Sequence, residues 1–359
     1  MNKSIMIVDD DIAIQKMLSF TVKKIGYEPF SAYDISEGID IAKQNPLDLI
    51  LMDVTLPPHS GFAAVEKLKS DSNFHKIPIL MITSSGTQEN LRHSLVSGAD
   101  GFIPKPFQLP ILIETLGKWS NVKVEEKWEK LDTNQERVLK LTLATMQKIF
   151  SATDTGSLIP FDNVKETCSH MTEIVSKDGM KNILDSVKDH DSYTFVHSLR
   201  VAIYLVIFAR HMGFDEEKVQ KVAQGGLLHD VGKVHTPTEV LNKPGALEET
   251  EWLTMKEHVD HTVELLSQIP DLPQEIIEIA GNHHEKVGGR GYPRGICGDE
   301  LSELSRMAAI VDAYVALTDR RCYKPSHSSE KALEMMKTPV GHLDLELLSE
   351  FKKAVQFYN

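Results

Sequence analysis

Short apolar runs alternate with longer amphipathic stretches over the first third of the chain. The runs SIMIV (4–8), EPFSA (28–32), DLILM (48–52), PILMI (78–82) and DGFI (100–103) have the length of strands. Between them, apolar positions recur at helical spacing near 12–25, 35–44, 61–69, 88–97 and 109–118. Strands separated by helices join through right-handed crossovers into a parallel sheet. Residues 1–120 are therefore expected to form an α/β, doubly wound, five-stranded parallel domain. Residues 121–150 are rich in Glu, Lys and Leu, lack Pro and Gly, and predict a connector helix. Its Val124, Trp128, Leu131, Val138 and Ile149 partly follow a 3–4 spacing that Gln135, Thr142 and Thr145 interrupt. A helix packed on its own domain is the plainer expectation, and a dimer-forming coiled coil the other. TDTGSLIPF (153–161) reads as a loop. From about residue 162 the period is helical throughout, which makes 151–359 an all-α domain.

In parallel α/β sheets, ligands bind outside the carboxyl ends of the strands. Asp9 and Asp10 follow the first predicted strand, Asp53 the third, Thr83 the fourth and Lys105 the fifth. Three converging carboxylates repel one another unless a cation joins them, and an oxygen-rich, partly open site suits Mg²⁺. A lysine and a hydroxyl alongside can neutralise and hydrogen-bond an added phosphoryl group.

Residues 1–118 resemble the flavodoxin-like, CheY-like receiver domain of bacterial response regulators, through IVDDD, DVTLPPHSG (53–61), MITS (81–84) and IPKPF (103–107). The resemblance implies that Asp53 accepts a phosphoryl group from a sensor histidine kinase. It implies that Asp9, Asp10, Asp53 and the Thr55 carbonyl hold Mg²⁺ and that Lys105 contacts the phosphoryl group. Thr83 and Phe102 would form the switch pair, and Pro106 would follow a cis peptide bond.

Composition narrows the choice of partners. Hydrophobic residues make up 41% and charged residues 25%, which is ordinary for a globular chain. The formal net charge of -13 argues against non-specific nucleic-acid binding. An anionic ligand would need a local cluster of cations. The cysteines Cys168, Cys297 and Cys322 form no C-x-x-C pair, which fits a reducing compartment. The opening MNKSIMIVDDD lacks the apolar core of a signal peptide, and the longest apolar stretch, Val201 to Ala209, is too short to span a bilayer. A cytoplasmic protein without membrane contact is expected.

Histidine is the informative residue of the second half. Nine of the 15 histidines fall between His190 and His284, where an even spread gives about four. They sit in TFVHSLRVA (194–202), LLHDVGK (227–233), MKEHVDH (255–261) and GNHHE (281–285), followed by AAIVDAYVALTD (308–319). Imidazole and carboxylate together suit Fe, Mn, Co, Ni or Zn. An aspartate can bridge two ions, and a two-ion site suits in-line displacement at phosphorus. His190, His211, His235 and His261 are expected to be core or exposed residues instead.

The order H…HD…H…HH…D resembles the HD-GYP family, a subgroup of the HD superfamily of metal-dependent phosphohydrolases. The match covers about residues 165–359. Its motifs are YTFVHSLRV (193–201), HDVGK (229–233), LNKPGAL (241–247), EWLTMKEH (251–258), HHEKVGGRGYPRG (283–295) and IVDAYVALTDRRCYK (310–324). The resemblance implies hydrolysis of cyclic di-GMP to pGpG, and possibly onward to GMP, controlled through Asp53. It implies two divalent transition-metal ions, iron first and manganese second. Their ligands would be His197, His229, Asp230, His258, His283, His284 and Asp312, with Asp230 bridging. Lys233 would steady charge on the attacked phosphate, and Arg321 and Lys324 would grip the ligand phosphates. The loop Gly291, Tyr292 and Pro293 would handle substrate and dock partners such as diguanylate cyclase (GGDEF) domains or adaptor proteins. A homodimer is a further expectation.

The chain also departs from the pattern. Tyr193 stands where some members carry a glutamate for a third metal, so two ions are expected. The usual HHE-R-x-D-G-x-GYP becomes HHEKVGGRGYP, with Lys286 for Arg and Gly288 for Asp. The usual VAD-x-x-DALTS-x-R-x-Y becomes IVDAYVALTDRRCY, with Val315 for a carboxylate. His258 lacks the Pro and Gly that commonly follow. These changes motivate a second reading, a catalytically weak cyclic di-GMP sensor or interaction module. A third, an HD hydrolase for another nucleotide, is opposed by LNKPGAL and GYP.

Overall fold

The computed structural model describes residues 3–24, 26–57, 59–83, 97–106, 109–174, 177–188, 190, 192–241, 243, 245–319, 326–338 and 341–358. The chain divides into two compact units, with the break between Glu125 and Glu126.

In the first unit the order is β1 (Ser4–Val8), α1 (Ile12–Lys24), β2 (Glu28–Ala32), α2 (Ile35–Gln44), β3 (Leu49–Asp53), α3 (Gly61–Ser70), β4 (Ile79–Thr83), β5 (Gly101–Pro104) and α4 (Leu109–Ser120). The strands form one parallel sheet in the order β2-β1-β3-β4-β5. Central strands read as unbroken apolar runs because both faces are covered. Ile5, Ile7, Leu49, Leu51, Leu80 and Ile82 enter one core, while Met6, Val8, Ile50, Met52, Ile79 and Met81 enter the other. Three strands, β3, β4 and β5, begin one residue later than the sequence pattern predicts. Asp48 stays outside β3, its carboxylate accepting the Ser4 N–H at 2.9 Å. The strand order reverses between β1 and β3, which opens a crevice at their carboxyl ends. Most of the predicted helix at 88–97 lies outside the described residues, as do the last residue of MITS and Phe107.

The predicted single connector helix is broken. Val122–Glu126 is α-helical, Lys127–Lys130 is a 3₁₀ turn, and α5 (Thr133–Asp154) starts afresh. Two interactions impose the break. The Asp132 side chain caps α5 by accepting from the Asn134 N–H. Trp128 is buried, donates Nε1–H to the Ser186 carbonyl at 3.3 Å and stacks on His190. The polar residues that interrupt the apolar stripe belong to the buried face. Thr142 donates its hydroxyl to the Val138 carbonyl at 2.7 Å, and the Thr145 and Thr167 hydroxyls pair at 2.9 Å. Helix α5 thus packs inside its own unit, the plainer of the two expectations.

The remaining principal helices are α6 (Phe161–Glu173), α7 (Tyr193–His211), α8 (Glu216–Leu228), α9 (His258–Ser267), α10 (Gln274–Asn282), α11 (Glu303–Thr318) and α12 (Leu345–Tyr358). The Val201–Ala209 run lies in α7, buried on all sides against α8, α11 and α12. No strand occurs beyond Glu126 among the described residues, and none of their helices is long and apolar enough to cross a membrane.

Candidate phosphoacceptor site and metal centre

At the carboxyl ends of β1 and β3, Asp9 and Asp53 are buried and Asp10 is exposed, with ligand-type oxygens within 4.8 Å of one another. Lys105 Nζ joins them, 3.0 Å from Asp9 Oδ2 and 3.1 Å from Asp53 Oδ1. Burial raises the Asp53 pKa, against the pull of Lys105 and of the Thr55 N–H that donates to its carboxylate. Thr83 is buried at the end of β4, Phe102 is partly exposed in β5, and Lys105–Pro106 is cis. The arrangement presents an oxygen nucleophile beside a cation and a set of oxygens suited to Mg²⁺.

In the second unit, α7 to α11 bring the seven sequence-predicted ligands to one place. His197 lies in α7, His229 and Asp230 follow α8, His258 opens α9, His283 and His284 follow α10, and Asp312 lies in α11. Their donor atoms form overlapping triads, each within 4.8 Å: His197, His229 and Asp312; His229, Asp230 and His283; His258, His283 and His284. Asp230 sits between them. Its Oδ2 is 3.2 Å from His229 Nε2 and 3.6 Å from His197 Nε2. Its Oδ1 is 3.3 Å from His258 Nε2 and 3.8 Å from His283 Nε2.

The local sequence explains how three of these rings are aimed. His229 and His283 follow the C-terminal ends of α8 and α10, and His258, besides opening α9, follows that of the short helix Glu249–Lys256, where the last carbonyls lack intrahelical partners. Each ring folds back and donates Nδ1–H to the carbonyl three residues earlier: Gly226 at 2.8 Å, Met255 at 2.6 Å and Ala280 at 2.7 Å. A carbonyl only accepts, so the proton resides on Nδ1 and Nε2 turns a bare lone pair inward. All three Nε2 atoms and Asp230 Oδ1 are buried without a hydrogen-bond partner. Orphaned buried polar atoms are rare. Four converging on one point, from imidazole and carboxylate, fit divalent cations of the borderline class.

The charge states agree with that use. Burial, then the neighbouring His284, hold His283 well below the usual imidazole range, and burial takes His284 to about 3. Burial opposes ionisation of Asp230 and Asp312, but the histidines, with Lys233 beside Asp230, hold both below the usual carboxylate range. His197 goes the other way. Burial disfavours its charge, yet Asp312 at Nε2 and Asp319 at Nδ1 raise it to about 9.

Two close approaches fix the frame. A Cβ on Gly232 would lie 2.1 Å from the His258 carbonyl oxygen, so only glycine lets the HDVGK turn touch α9. Gly232→Ala is expected to cost about 1–3 kcal/mol through overpacking. A calorimetric melt should show it as a midpoint lowered by roughly 5 °C. Gly288, the departure from the family pattern, lies where its N–H meets the Gly341 carbonyl at 2.8 Å, and a Cβ there would sit 2.9 Å from that oxygen. A side chain at 288 has no room in this chain.

The Gly291-Tyr292-Pro293 loop lies over the centre. The Tyr292 ring stacks on His284 with 4.7 Å between centroids, and Trp252 meets Tyr292 edge-on. Burial raises the pKa of the Tyr292 phenol. Glu285 pins the loop, its Oε1 accepting the N–H groups of Arg294 at 2.8 Å and Gly295 at 3.0 Å. Lys233 Nζ lies 2.5 Å from Asp230 Oδ2. Arg321 and Lys324 lie outside the described residues. The other histidines stand apart from the triads. His190 packs between Trp128 and Phe195, His211 pairs with Glu350, and His235 meets His261 edge-on.

Comparison with known families gives the same division. Residues 5–117 match the response regulator receiver domain, and residues 179–347 match the HD domain. The chain joins a receiver domain to an HD domain. HD domains are metal-dependent hydrolases, and this HD domain includes all seven histidine and aspartate residues of the centre. The response regulator RpfG of Xanthomonas campestris, named a cyclic di-GMP phosphodiesterase, is 27% identical over 95% of this chain and 84% of its own. The cyclic di-GMP phosphodiesterase PA4108 of Pseudomonas aeruginosa is 33% identical over 48% of this chain and 42% of its own length. The 3′3′-cGAMP-specific phosphodiesterase 1 of Vibrio cholerae is 36% identical over 50% of this chain and 41% of its own. The chain thus spans less than half the length of two of these relatives and most of the third.

Two residues around the HD centre went without a role in the sequence reading. Glu285 follows the double histidine directly, and Asp319 ends the stretch that contains Asp312. The only sequence signal for Asp319 is its place seven residues after Asp312, which puts it at the cap just past the end of α11.

Proposed function

We propose that the chain is a response regulator whose HD domain hydrolyses cyclic di-GMP to pGpG under control of phosphorylation at Asp53. The observation that carries this reading is the set of four partnerless donors around Asp230, within a shell of further histidine and aspartate ligands. His197, His229 and Asp312 would hold one ion, His258, His283 and His284 the other, and Asp230 would give one oxygen to each. Divalent ions bound there supply a water of lowered pKa and draw charge from phosphate oxygens. The mixed nitrogen and oxygen donors suit borderline divalent ions such as iron and manganese. Lys233 would stand beside the attacked phosphate and neutralise developing charge. Tyr292, stacked on His284, would close the mouth and exclude bulk water. In the receiver, a sensor histidine kinase would transfer its phosphoryl group to Asp53, with Mg²⁺ held by Asp9, Asp10 and Asp53 and charge balanced by Lys105.

The test is purification of the full chain without oxygen, metal analysis, and incubation with cyclic di-GMP followed by chromatography. Linear pGpG is the expected product, lost on chelation and regained with Fe²⁺ or Mn²⁺. The likeness to a 3′3′-cGAMP-specific enzyme favours that dinucleotide as the second reading, so it is run in parallel. Faster turnover of 3′3′-cGAMP would transfer the assignment to it. Tight binding without product would make the HD domain a sensor.

A further inference from the structure

His197 differs from the other buried ligands of the HD domain in how its ring is held. His229, His258 and His283 lean on carbonyls at helix ends, whereas His197 lies inside α7. There the neighbouring carbonyls are engaged in helix bonds, so its Nδ1–H needs an acceptor from another element. Asp319 provides one, its Oδ2 lying 3.0 Å from His197 Nδ1. The carboxylate is buried, and Arg200 Nη1 from the next turn of α7 pairs with its Oδ1 at 2.7 Å. Arg200 Nη2 donates to Thr318 Oγ1 at 3.0 Å, which ties the end of α11 to α7.

The sequence around Asp319 gives this contact its meaning. The family pattern places a carboxylate at the position of Val315 and a serine at the position of Asp319. In this chain Val315 is fully buried and apolar, and the acid appears four residues later, at the C-cap just past the end of α11. We propose that Asp319 is a positioning residue that takes over the orienting role of the carboxylate missing at Val315. It fixes the ring of His197 so that Nε2 faces the ion shared with Asp312 and Asp230. The loss at Val315 and the gain at Asp319 are then one relocation of charge rather than a defect and a coincidence. The inference rests on the metal-centre reading above, but not on which dinucleotide is the substrate.

The test measures metal affinity by titrating Mn²⁺ into chelator-treated full chain in excess Mg²⁺, which keeps the receiver site occupied, alongside thermal midpoints. The variants are Asp319→Ser, Asp319→Asn and the double change Val315→Asp with Asp319→Ser. Wild type binding two Mn²⁺ ions per chain establishes the centre itself, and failure to bind them would sink the metal-centre reading rather than this one. Asp319→Ser is expected to weaken one of the two ions by about 10–100-fold. Asp319→Asn keeps an acceptor oxygen and should fall between the two. Returning the acid to position 315 should recover most of the lost affinity. Unchanged Mn²⁺ binding in Asp319→Ser would overturn the proposal. So would a loss of both ions together with a collapsed melt that the double change leaves unrepaired, since Asp319 would then be holding the fold.

Discussion

Asp230→Ala is expected to leave a folded protein that holds less than one ion per chain and has lost its phosphodiesterase activity. Among the described residues the carboxylate is the one group within 4 Å of four of the clustered histidines, with one oxygen toward each pair. Its removal therefore takes the shared oxygen ligand from both proposed ion sites at once, whereas His258→Ala should spare the ion beside His197. Ion-assisted charge stabilisation is worth several kcal/mol, so the rate should fall by about three powers of ten or more. The fold should survive because the partner left behind can escape. The Lys233 side chain keeps 14% of its surface in solvent and can swing outward. A net cost of about 1–2 kcal/mol is expected. Metal analysis of both variants, with product chromatography, checks the order of effects. An Asp230→Ala protein that still carries two ions would remove the bridging role.

Asp53→Asn should abolish phosphoryl uptake by the receiver domain while leaving its melting profile close to wild type. Asn keeps the shape of the side chain but has no anionic oxygen to attack phosphorus. Lys105 retains Asp9, 3.0 Å away, as a partner, so no cation is stranded. Intact mass after exposure to acetyl phosphate should show one added phosphoryl group on wild type and none on the variant. The same pair tests control of the HD domain. Beryllofluoride should change the hydrolysis rate of wild type but not of Asp53→Asn, and an unchanged wild-type rate would sever Asp53 from the output.

The features legible in the sequence were those that repeat or converge. Apolar runs such as Leu49–Met52 announce strands because both sheet faces are covered, and acids at the strand ends announce a ligand crevice. The seven histidine and aspartate residues that the HD domain gathers in one place were legible because they stand in short ordered motifs. What escaped depended on contacts between distant segments. The break at Leu131–Asp132 comes from a local cap together with Trp128 reaching Ser186, which no periodicity contains. Thr142 and Thr145 looked like interruptions because their hydrogen bonds were invisible, and Gln135 because its burial was. Asp319 was quoted within a motif and given no role, since only the fold brings it to His197, 122 positions earlier.

The three rings seated on the spent ends of helices carry a consequence for how the HD domain would be loaded. Because main-chain oxygens rather than the ion hold them, the cage stands ready before any cation arrives and little ordering remains to be done on capture. Helix C-termini also carry partial negative charge, which draws any divalent ion inward without favouring an element. Affinity in such a socket should rise along the Irving–Williams series, so the occupant should be set by which ion the cell supplies. Cells grown in iron-rich and manganese-rich media should therefore yield the same fold carrying different elements and working at different speeds.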